Sequence, residues 1–585
     1  MIRNSSQLFC LFSVITILYG PSPARGAEPW SGAELVWPDD ELGRVWIAQF
    51  NKAGNPSAEV AWPTTVSTVC GKAAENPVSE GSLAAAEPTM LSALCAEKSR
   101  ARPFVLTLDA GMLPLGRRYP LGTDFERFHS TWGSIKVDPE IGKSWSEIPA
   151  LVNAELAYPL TSYAFLYFRA GLRRDIAAWH RDPLGLNLPL GRNEVDLNEP
   201  SRAYLHAESE HFGFTLGRFP VHWSPSPEFG LALSSSVPYH NGAEFALKMP
   251  RARFRFLVSS LNPWLEGTPP GDSSSEDYPV GSEEWLQRHT GSDHGAGNFH
   301  NRVYDERIKT LFAHRLEGDL GPLALGITET EIIGGKVPDL RDADPFMIYH
   351  NDFKDGYTNS AISLDAALRL PGGFSLAGEM YLDDVRYADT EGEGGPEALM
   401  GLLACVRQAF SRAGWDFLQS LHVIRTDPYL YGYYQPLNEA YSRIVLASND
   451  QRSGDSVFVD RYVVDYPIGY LRGGDAFDFW YRLDAWKGAR WRLTAAAALL
   501  SKGEVGLDTP YESFYSVPSH DSPTGIAERE VRISGEVEFR CERGLSLRAG
   551  AGWQGIRDEG HVRGKDASRT QMELGGRWAI GSGAR

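Results

Sequence analysis

Stretches of about ten residues in which apolar and polar side chains alternate are the feature that most limits how this chain can fold. In residues 361–370, Leu364 belongs to an apolar face and Asp365 to a polar face. Pro and Gly at 371–373 then turn the chain, and residues 374–383 repeat the alternation. Successive side chains of a β-strand point to opposite sides, so this pattern predicts paired strands with two unlike faces.

The same hairpin unit recurs to the end of the chain. Its tight turns are predicted near Pro159, His211 and Pro250 and at residues 318–322, 371–373, 412–414, 487–489 and 542–544. Longer stretches rich in Gly, Asp and Pro connect the hairpins, the clearest being residues 261–301, 334–357, 384–396, 502–528 and 558–568. With single strands near 104–112 and 571–580, we expect about 18 strands. Because 438–470 could form a further hairpin, the predicted range is roughly 16 to 20.

A soluble all-β protein, such as a propeller or a sandwich, would also contain alternating strands. Here short turns alternate with long loops, and aromatic residues stand at strand ends, where a membrane barrel has its interfacial girdles. These aromatic residues are Phe477, Trp491, Phe539, Trp553 and Trp578. No segment after the N-terminal one approaches the roughly 18 consecutive apolar residues of a transmembrane helix. The sequence therefore predicts a transmembrane antiparallel β-barrel over residues 103–585, with short periplasmic turns and long extracellular loops.

Residues 1–26 have the three parts of a secretory signal peptide. Arg3 precedes an apolar run at 8–19, and small residues up to Ala27 offer a cleavage site. We therefore expect export, cleavage of the signal and a location in the bacterial outer membrane. Residues 27–102, rich in Ala, Pro, Ser and Glu, are predicted to form a poorly defined N-terminal segment in the periplasm.

The acidic balance of the chain limits its partners. A formal net charge of −18 argues against binding to nucleic acid through bulk electrostatics. Outer-membrane lipid is the partner that a barrel itself requires, and we expect a monomer. Cys70 and Cys95 lie in the N-terminal segment, where an oxidising periplasm permits a disulfide, although two free thiols fit the sequence equally well.

Charged side chains of both signs fall on the polar faces of the predicted strands, which would face the barrel lumen. They include Asp365, Arg369, Glu379, Arg482, Asp484, Glu536 and Arg540. Interleaved charges of this kind can create a transverse field across an open pore. They can equally form a network of ion pairs that fills a closed barrel, and the sequence leaves both alternatives open.

Aromatic residues cluster in two of the predicted loops. One cluster comprises Tyr429, Tyr431, Tyr433 and Tyr434 in a segment assigned to the surface or rim, and Trp264 and Trp285 lie in the loop after residue 261. Aromatic rings stack on the apolar faces of sugars, so these six residues are candidate ligand-binding residues. The alternative for each of them is ordinary packing.

No residue pattern in the chain predicts catalysis, a metal site or a cofactor. Asp293, His294 and His300 could approach a metal, but loop histidines at this spacing are mostly solvated. His314 falls on the same predicted strand face as Phe312, which favours an interfacial position over a role as general base. We therefore assign no catalytic residue, no metal and no cofactor.

Several segments resemble the Wzi-like capsule assembly family. They are residues 216–225 (LGRFPVHWSP) with 231–236, 307–316 (RIKTLFAHRL), 328–345, 381–384 (YLDD) and 466–469 (YPIG). Their order along the chain, from about Thr107 onward, makes the resemblance specific. The chain departs from the family pattern at Ser224, where Gly is expected, and residues 27–102 have no counterpart.

The resemblance implies an 18-stranded outer-membrane barrel that acts as a surface lectin without catalysis. Such a protein would bind or anchor capsular polysaccharide or exopolysaccharide at the cell surface. A passive porin or a substrate-specific outer-membrane channel is the alternative function for the same fold.

Overall fold

The computed structural model covers the chain and describes most of its barrel. The described residues are 35–36, 44–48, 64–65, 70, 90–91, 94–95, 104–112, 134–161, 163–182, 184–191, 194–196, 198, 200–263, 308–349, 358–383, 399–433, 436–453, 456–507, 509, 522–541 and 544–581. The predicted signal peptide lies outside them. The predicted N-terminal segment, 27–102, is described only in short pieces.

Strands dominate the described part of the chain. They are β1 (Leu35–Val36), β2 (Thr64–Thr65), β3 (Phe104–Met112), β4 (Ser134–Val137), β5 (Val152–Pro159), β6 (Ala164–Leu172), β7 (Arg202–Glu208), β8 (Phe212–Phe219), β9 (His240–Met249), β10 (Ala252–Leu261), β11 (Lys309–Asp319), β12 (Leu323–Gly334), β13 (Thr358–Leu370), β14 (Phe374–Asp383), β15 (Leu399–Arg412), β16 (Trp415–Thr426), β17 (Tyr441–Ser453), β18 (Ser456–Pro467), β19 (Ala476–Lys487), β20 (Trp491–Lys502), β21 (Glu528–Arg540), β22 (Leu545–Arg557) and β23 (Ala567–Gly581). Besides short helical pieces in the N-terminal segment, two α-helices are described, α1 (Pro139–Glu147) and α2 (Ile176–Arg181), with 3-10 turns at Pro371–Gly373, Pro436–Asn438 and Glu559–His561. No helix of the described residues is long and apolar enough to cross a membrane.

Eighteen of these strands close into an antiparallel barrel, as the sequence predicts. The order follows the chain from β3 to β23 and omits only β4, β17 and β18. The last strand pairs with the first, with Trp578 opposite Leu108. All eight tight turns fall where the sequence places them, because a local period of two sets both the strands and the breaks between them. Short turns of such barrels face the periplasm and long loops the exterior, so we call the two ends the tight-turn end and the loop end.

The further hairpin considered for residues 438–470 forms, but it lies outside the barrel wall. Strands β17 and β18 pair with each other, and β18 pairs in parallel with β4. Ile444 and Val464 of this sheet pack with Trp145 of α1 and Trp179 of α2 in a separate buried cluster. The hairpin therefore belongs to a loop-end cap with its own apolar core, which explains why it adds nothing to the strand count of the barrel.

Helix α1 of the cap begins at a local signal in the sequence. Asp138 precedes it and accepts hydrogen bonds from the backbone N–H groups of Glu140 and Ile141, and Pro139 occupies its first position. This arrangement satisfies backbone donors that a helix start otherwise leaves unpaired. Glu140 then reaches towards the barrel, where it forms an ion pair with Arg532 of β21 (3.0 Å).

The two faces of each barrel strand meet different surroundings. Asp365 of β13 lies opposite Glu379 of β14, and both are buried on the inner side. Leu364 and Leu376 lie on the opposite faces of the same two strands and are exposed on the outer side, where lipid surrounds a membrane barrel. The alternation therefore separates an apolar outer belt from a polar inner surface.

Several described pieces of the N-terminal segment pack at the tight-turn end of the lumen. Residues 44–48 are helical and buried, and Trp46 packs with Leu418 of β16 and Trp486 of β19, close to their tight turns. Cys70 and Cys95 are joined by a disulfide beside this cluster. The N-terminal segment thus contributes buried apolar surface to the barrel.

Candidate ligand-binding site

The connection between β8 and β9, residues 220–239, enters the lumen and is called the plug below. Val221, Trp223 and Leu233 of the plug are completely or almost completely buried in the main core of the barrel. The carboxylate of Glu379 on β14 accepts hydrogen bonds from the Ser224 hydroxyl (2.7 Å) and the Ala232 backbone N–H (2.9 Å). These contacts hold the plug against the inner wall.

A second segment from the loop end packs against the plug. The Tyr431 hydroxyl donates to the Leu231 backbone carbonyl (2.7 Å) and accepts from the Tyr470 backbone N–H (3.0 Å). Its ring lies 5.4 Å from that of Tyr381 on β14. Burial raises the pKa of the Tyr431 phenol well above its ordinary value, so this hydroxyl stays protonated and keeps its donor.

The assignment of the tyrosine-rich segment to the surface or rim is wrong for Tyr431, whose side chain is fully buried inside the lumen. Tyr429 is partly buried against the same core, and Tyr433 is partly buried with its hydroxyl donating to the Thr358 backbone carbonyl (3.3 Å). Tertiary packing draws this segment inward, although its composition is that of an exposed loop. The other candidate residues Tyr434, Trp264 and Trp285 lie outside the described residues.

The plug also joins the N-terminal segment to the barrel. Arg44 forms ion pairs with Glu228 of the plug (3.4 Å) and with Asp484 of β19 (3.2 Å). Glu228 in turn contacts His422 of β16 (3.2 Å). Burial alone would raise the pKa of the Glu228 carboxyl, but His422 and Arg44 lower it below its usual range, so the carboxylate stays charged.

A thiol, an imidazole and a carboxylate meet at the same point in an arrangement that differs from a catalytic triad. The Sγ atom of Cys405 lies 3.1 Å from Nε2 of His422, and Glu228 contacts that same nitrogen. An activated nucleophile requires the base and the orienting group on different ring nitrogens. Cys405 is also buried, so the arrangement suits packing and charge balance.

Ion pairs occupy much of the inner surface. Asp365 receives two hydrogen bonds from Arg315 of β11 (2.5 and 2.9 Å), and Arg482 donates two to Asp484 (2.7 and 2.9 Å). The other predicted lumen residues also lie on inner strand faces: Arg369 donates to the Gly321 carbonyl, Arg540 contacts Glu538, and Glu536 is half-buried. The sequence leaves open whether these charges line an open pore or form a network of ion pairs. The contacts in the structure form such a network.

The loop end contains a polar cavity of about 230 Å³. It lies where the ends of β8, β9 and β10 meet strand β17 of the cap. Its lining includes Asn198, Arg218, Tyr239, Asn241, Ser442 and Arg443. We call it the rim pocket.

Arg218 and Tyr239 form the centre of the rim pocket. The Arg218 guanidinium lies 4.1 Å from the centre of the Tyr239 ring, and its Nε donates to the Asn241 side-chain carbonyl (2.9 Å). The Tyr239 hydroxyl accepts a hydrogen bond from the Asn198 amide (2.8 Å). These contacts fix a cation, an amide and an aromatic face side by side.

Arg443 holds the opposite wall of the rim pocket in place. Its guanidinium donates two hydrogen bonds of 2.6 Å to the Asp465 carboxylate of β18. Lys136 of β4 forms a further ion pair with Asp465 (3.0 Å). Burial opposes the charge of this carboxylate, but Arg443 and Lys136 hold its pKa well below the usual range, so the three groups remain locked together.

The rim pocket could not be predicted from the sequence, because its residues come from segments that lie far apart in the chain. Asn198 follows α2, Tyr239 precedes β9, and Arg443 belongs to the cap hairpin. The one available signal is Arg218, which lies in the block 216–225 that carries the family resemblance. Amides, hydroxyls, a guanidinium and one aromatic face suit a ligand with many hydroxyl groups.

In the described part of the chain, no group of three or more His, Cys, Asp or Glu side chains could hold a metal ion.

The fold and the contents of the lumen together define the class of protein. It is an outer-membrane-type β-barrel of 18 strands whose lumen contains segments of the same chain. No protein-family model matches the chain, and no curated protein matches its sequence. Its fold is similar to that of Wzi from Escherichia coli, with a TM-score of 0.53 and 11% identity over 94% of this chain and 99% of Wzi. Wzi is described as an outer membrane protein involved in group 1 capsule assembly and as a carbohydrate-binding β-barrel. The predicted resemblance is thus confirmed at the level of the fold.

Porins are similar more distantly. A BenF-like porin from Pseudomonas fluorescens has a TM-score of 0.37 and 11% identity, over 82% of this chain and 99% of the porin. OprD from Pseudomonas aeruginosa has a TM-score of 0.33 and 8% identity, over 74% of this chain and 89% of OprD. TM-scores this low do not indicate a shared function.

Proposed function

We propose that the protein is a non-enzymatic outer-membrane barrel that binds capsular polysaccharide or exopolysaccharide at the cell surface through the rim pocket. The observation that carries this proposal is the grouping of Arg218, Tyr239 and Asn198 at the loop end, where a surface glycan has access. An aromatic face covers the apolar side of a sugar ring, while amide and guanidinium groups bind its hydroxyls or carboxylates.

The plug adds a second argument for binding over passive flow. Most plug residues from Val221 to Val237 lie buried across the lumen, and the plug is held by Glu379 from one wall and by Arg44 from the tight-turn end. A wide passive pore needs an aqueous channel along the barrel axis. Recognition at the loop end requires no such channel.

A binding assay tests the proposal. Wild type and variants are compared for retention on a panel of purified neutral and acidic bacterial polysaccharides. Arg218→Ala removes the charged donor, and we expect an affinity loss of about 10- to 100-fold, the equivalent of one hydrogen bond to a charged group. Tyr239→Phe keeps the ring and loses the hydroxyl, so it should lose less affinity than Tyr239→Ala.

Arg425→Ala provides the matched control, because Arg425 is another outward-facing arginine near the loop end of a barrel strand and does not line the pocket. It should bind like wild type. If polysaccharides bind the wild type and the Arg218 and Tyr239 variants equally well, the rim pocket is not the site. If none binds, the proposed function itself fails.

One observation favours a substrate-specific channel as a second candidate. Inward-facing positions on β20 to β22, among them Thr494, Ser534, Gly550 and Gly552, are only half-buried. Small side chains there leave room along one wall of the lumen. Single-channel recording in planar bilayers decides the matter: steady conductance by the wild type supports the channel, and its absence supports the binding protein.

A further inference from the structure

The segment after β12, residues 335–349, folds back against the outside of the barrel and is called the flap below. Its Phe346 ring stacks on Phe254 of β10, with ring centres 5.2 Å apart. Phe254 faces outward, because the next residue, Arg255, points inward to the Trp223 ring of the plug. The flap therefore covers part of the wall that would otherwise face lipid.

Outward-facing residues on β11 and β12 show where the flap begins to cover the wall. Leu316 and Ile327, nearer the tight-turn end, are 49% and 40% exposed, as expected in a lipid-facing belt. Further along the same strands and on the same face, Phe312 is 3% and Ile333 0% exposed. Tyr349 of the flap packs against both of them.

Charged residues lie on this covered part of the wall. Glu329 and Glu331 of β12 face outward, yet both are buried, and Glu329 forms an ion pair with His314 of β11 (3.0 Å). In the same row across the sheet, His314 lies opposite Phe256, and Glu329 lies opposite Ile362. The ion pair therefore sits between apolar positions of the belt, where contact between a carboxylate and lipid would be unfavourable.

The exposed surface of the flap is largely apolar and includes the part of Phe346 that its contact with Phe254 leaves uncovered. Its exposed apolar residues are Val337, Leu340 (91% exposed), Phe346 (75% exposed) and Ile348. Asp342 is buried and pairs with Lys336 (3.2 Å), and the exposed Asp339 and Arg341 pair with each other (3.7 Å). Asp344 is also exposed, and its carboxylate accepts a hydrogen bond from the Phe346 backbone N–H (3.0 Å). Apolar side chains next to charges of both signs suit the boundary between acyl chains and head groups.

We propose that the flap is embedded in the lipid around the barrel, where Leu340 and Phe346 insert among acyl chains and the flap shields the His314–Glu329 pair from them. The occupant of this surface is lipid because the flap continues the exposed apolar belt formed by Leu316 and Ile327. This surface lies on the barrel wall and does not depend on what the rim pocket binds.

A fluorescence experiment tests the proposal on the full-length protein. Leu340→Cys and Phe346→Cys are made separately in a Cys541→Ser background, in which Cys405 stays buried, and each is labelled with the polarity-sensitive dye NBD. The labelled proteins are reconstituted in phosphatidylcholine vesicles containing some phosphatidylcholine with a nitroxide on its acyl chain. Iodide serves as the aqueous quencher.

Two control positions calibrate the signal. Leu364→Cys places the dye on the lipid-facing side of β13, and Val562→Cys places it on an exposed apolar residue in the loop between β22 and β23. Both flap positions should follow Leu364, with quenching by the acyl-chain nitroxide, little quenching by iodide and blue-shifted emission. Heat-modifiable migration in gels verifies that each variant is folded.

Two results would overturn the proposal. Flap positions that are quenched by iodide to the extent seen for Val562 would place the flap in water. Flap positions protected from both quenchers, together with dimers formed by disulfide cross-linking of Leu340→Cys, would show that a second copy of the chain covers this surface instead of lipid.

Discussion

Replacing Glu379 should release the plug from the barrel wall. Its carboxylate accepts hydrogen bonds from Ser224 and Ala232 of the plug and a third, within the wall, from Ser363 (3.1 Å). A hydrogen bond to a charged group contributes about 1.5–3 kcal/mol, so the two bonds to the plug together contribute about 3–6 kcal/mol. Glu379→Ala should therefore raise the population of barrels with a displaced plug by a factor of about 10² to 10⁴.

Planar-bilayer recording and hydrogen exchange measure this release. In Glu379→Ala, we expect more frequent or longer open events than in the wild type, and faster exchange of the Ala232 amide hydrogen. Ser363→Ala is the matched control, since it removes the bond within the wall and leaves both plug contacts intact. Glu379→Gln keeps one acceptor oxygen and should give an intermediate result. If Glu379→Ala behaves like Ser363→Ala in both assays, Glu379 does not anchor the plug.

Two further perturbations probe the plug. The pKa of Glu228 is lower in the folded chain than its ordinary 4.5, so the bridge to Arg44 stabilises the fold above about pH 4.5 and weakens as the pH falls further. Thermal unfolding of the wild type should show this loss below pH 4.5, and Glu228→Gln should reduce it; equal pH profiles would refute the bridge. A Cβ at Gly469 would overlap the Leu231 carbonyl oxygen, so Gly469→Ala should destabilise the barrel by about 1–3 kcal/mol. Gly318→Ala, where a Cβ would contact nothing within 4 Å, is the control in the same melting assay.

The barrel could be predicted because its determinants are local. The sequence places the turn at 371–373 and the two faces of β13 and β14 correctly, since a shift by one residue would move Asp365 from the lumen into lipid. The turn between β15 and β16 is equally local, with Ala413 and Gly414 both at positive φ, as a two-residue hairpin requires.

The interior of the lumen could not be predicted in this way. The plug and the tyrosine-rich segment have the composition of exposed loops. Their burial depends on contacts with residues that lie 155 and 200 positions away in the chain, those of Ser224 with Glu379 and of Tyr431 with Leu231. Tyr431 shows the difficulty: its backbone adopts a positive φ of 73°, uncommon for a residue other than Gly, and its hydroxyl bonds to Leu231. Nothing local to Tyr431 specifies that contact. The rim pocket depends in the same way on Asn198, Tyr239 and Arg443, which only the completed fold brings together.

The flap shows how a break in a local pattern can carry tertiary information. On β12 the outward positions run Leu325, Ile327, Glu329, Glu331 and Ile333, so the apolar face is interrupted by two carboxylates in the middle of a barrel strand. A charge on the lipid face is costly near the middle of the bilayer, which means that such a strand needs a partner to cover it. In this chain the covering segment follows directly after the strand. The same reasoning applies to any outer-membrane strand: a charged residue out of phase with an otherwise regular alternation indicates that another part of the chain, or a partner, lies against that wall.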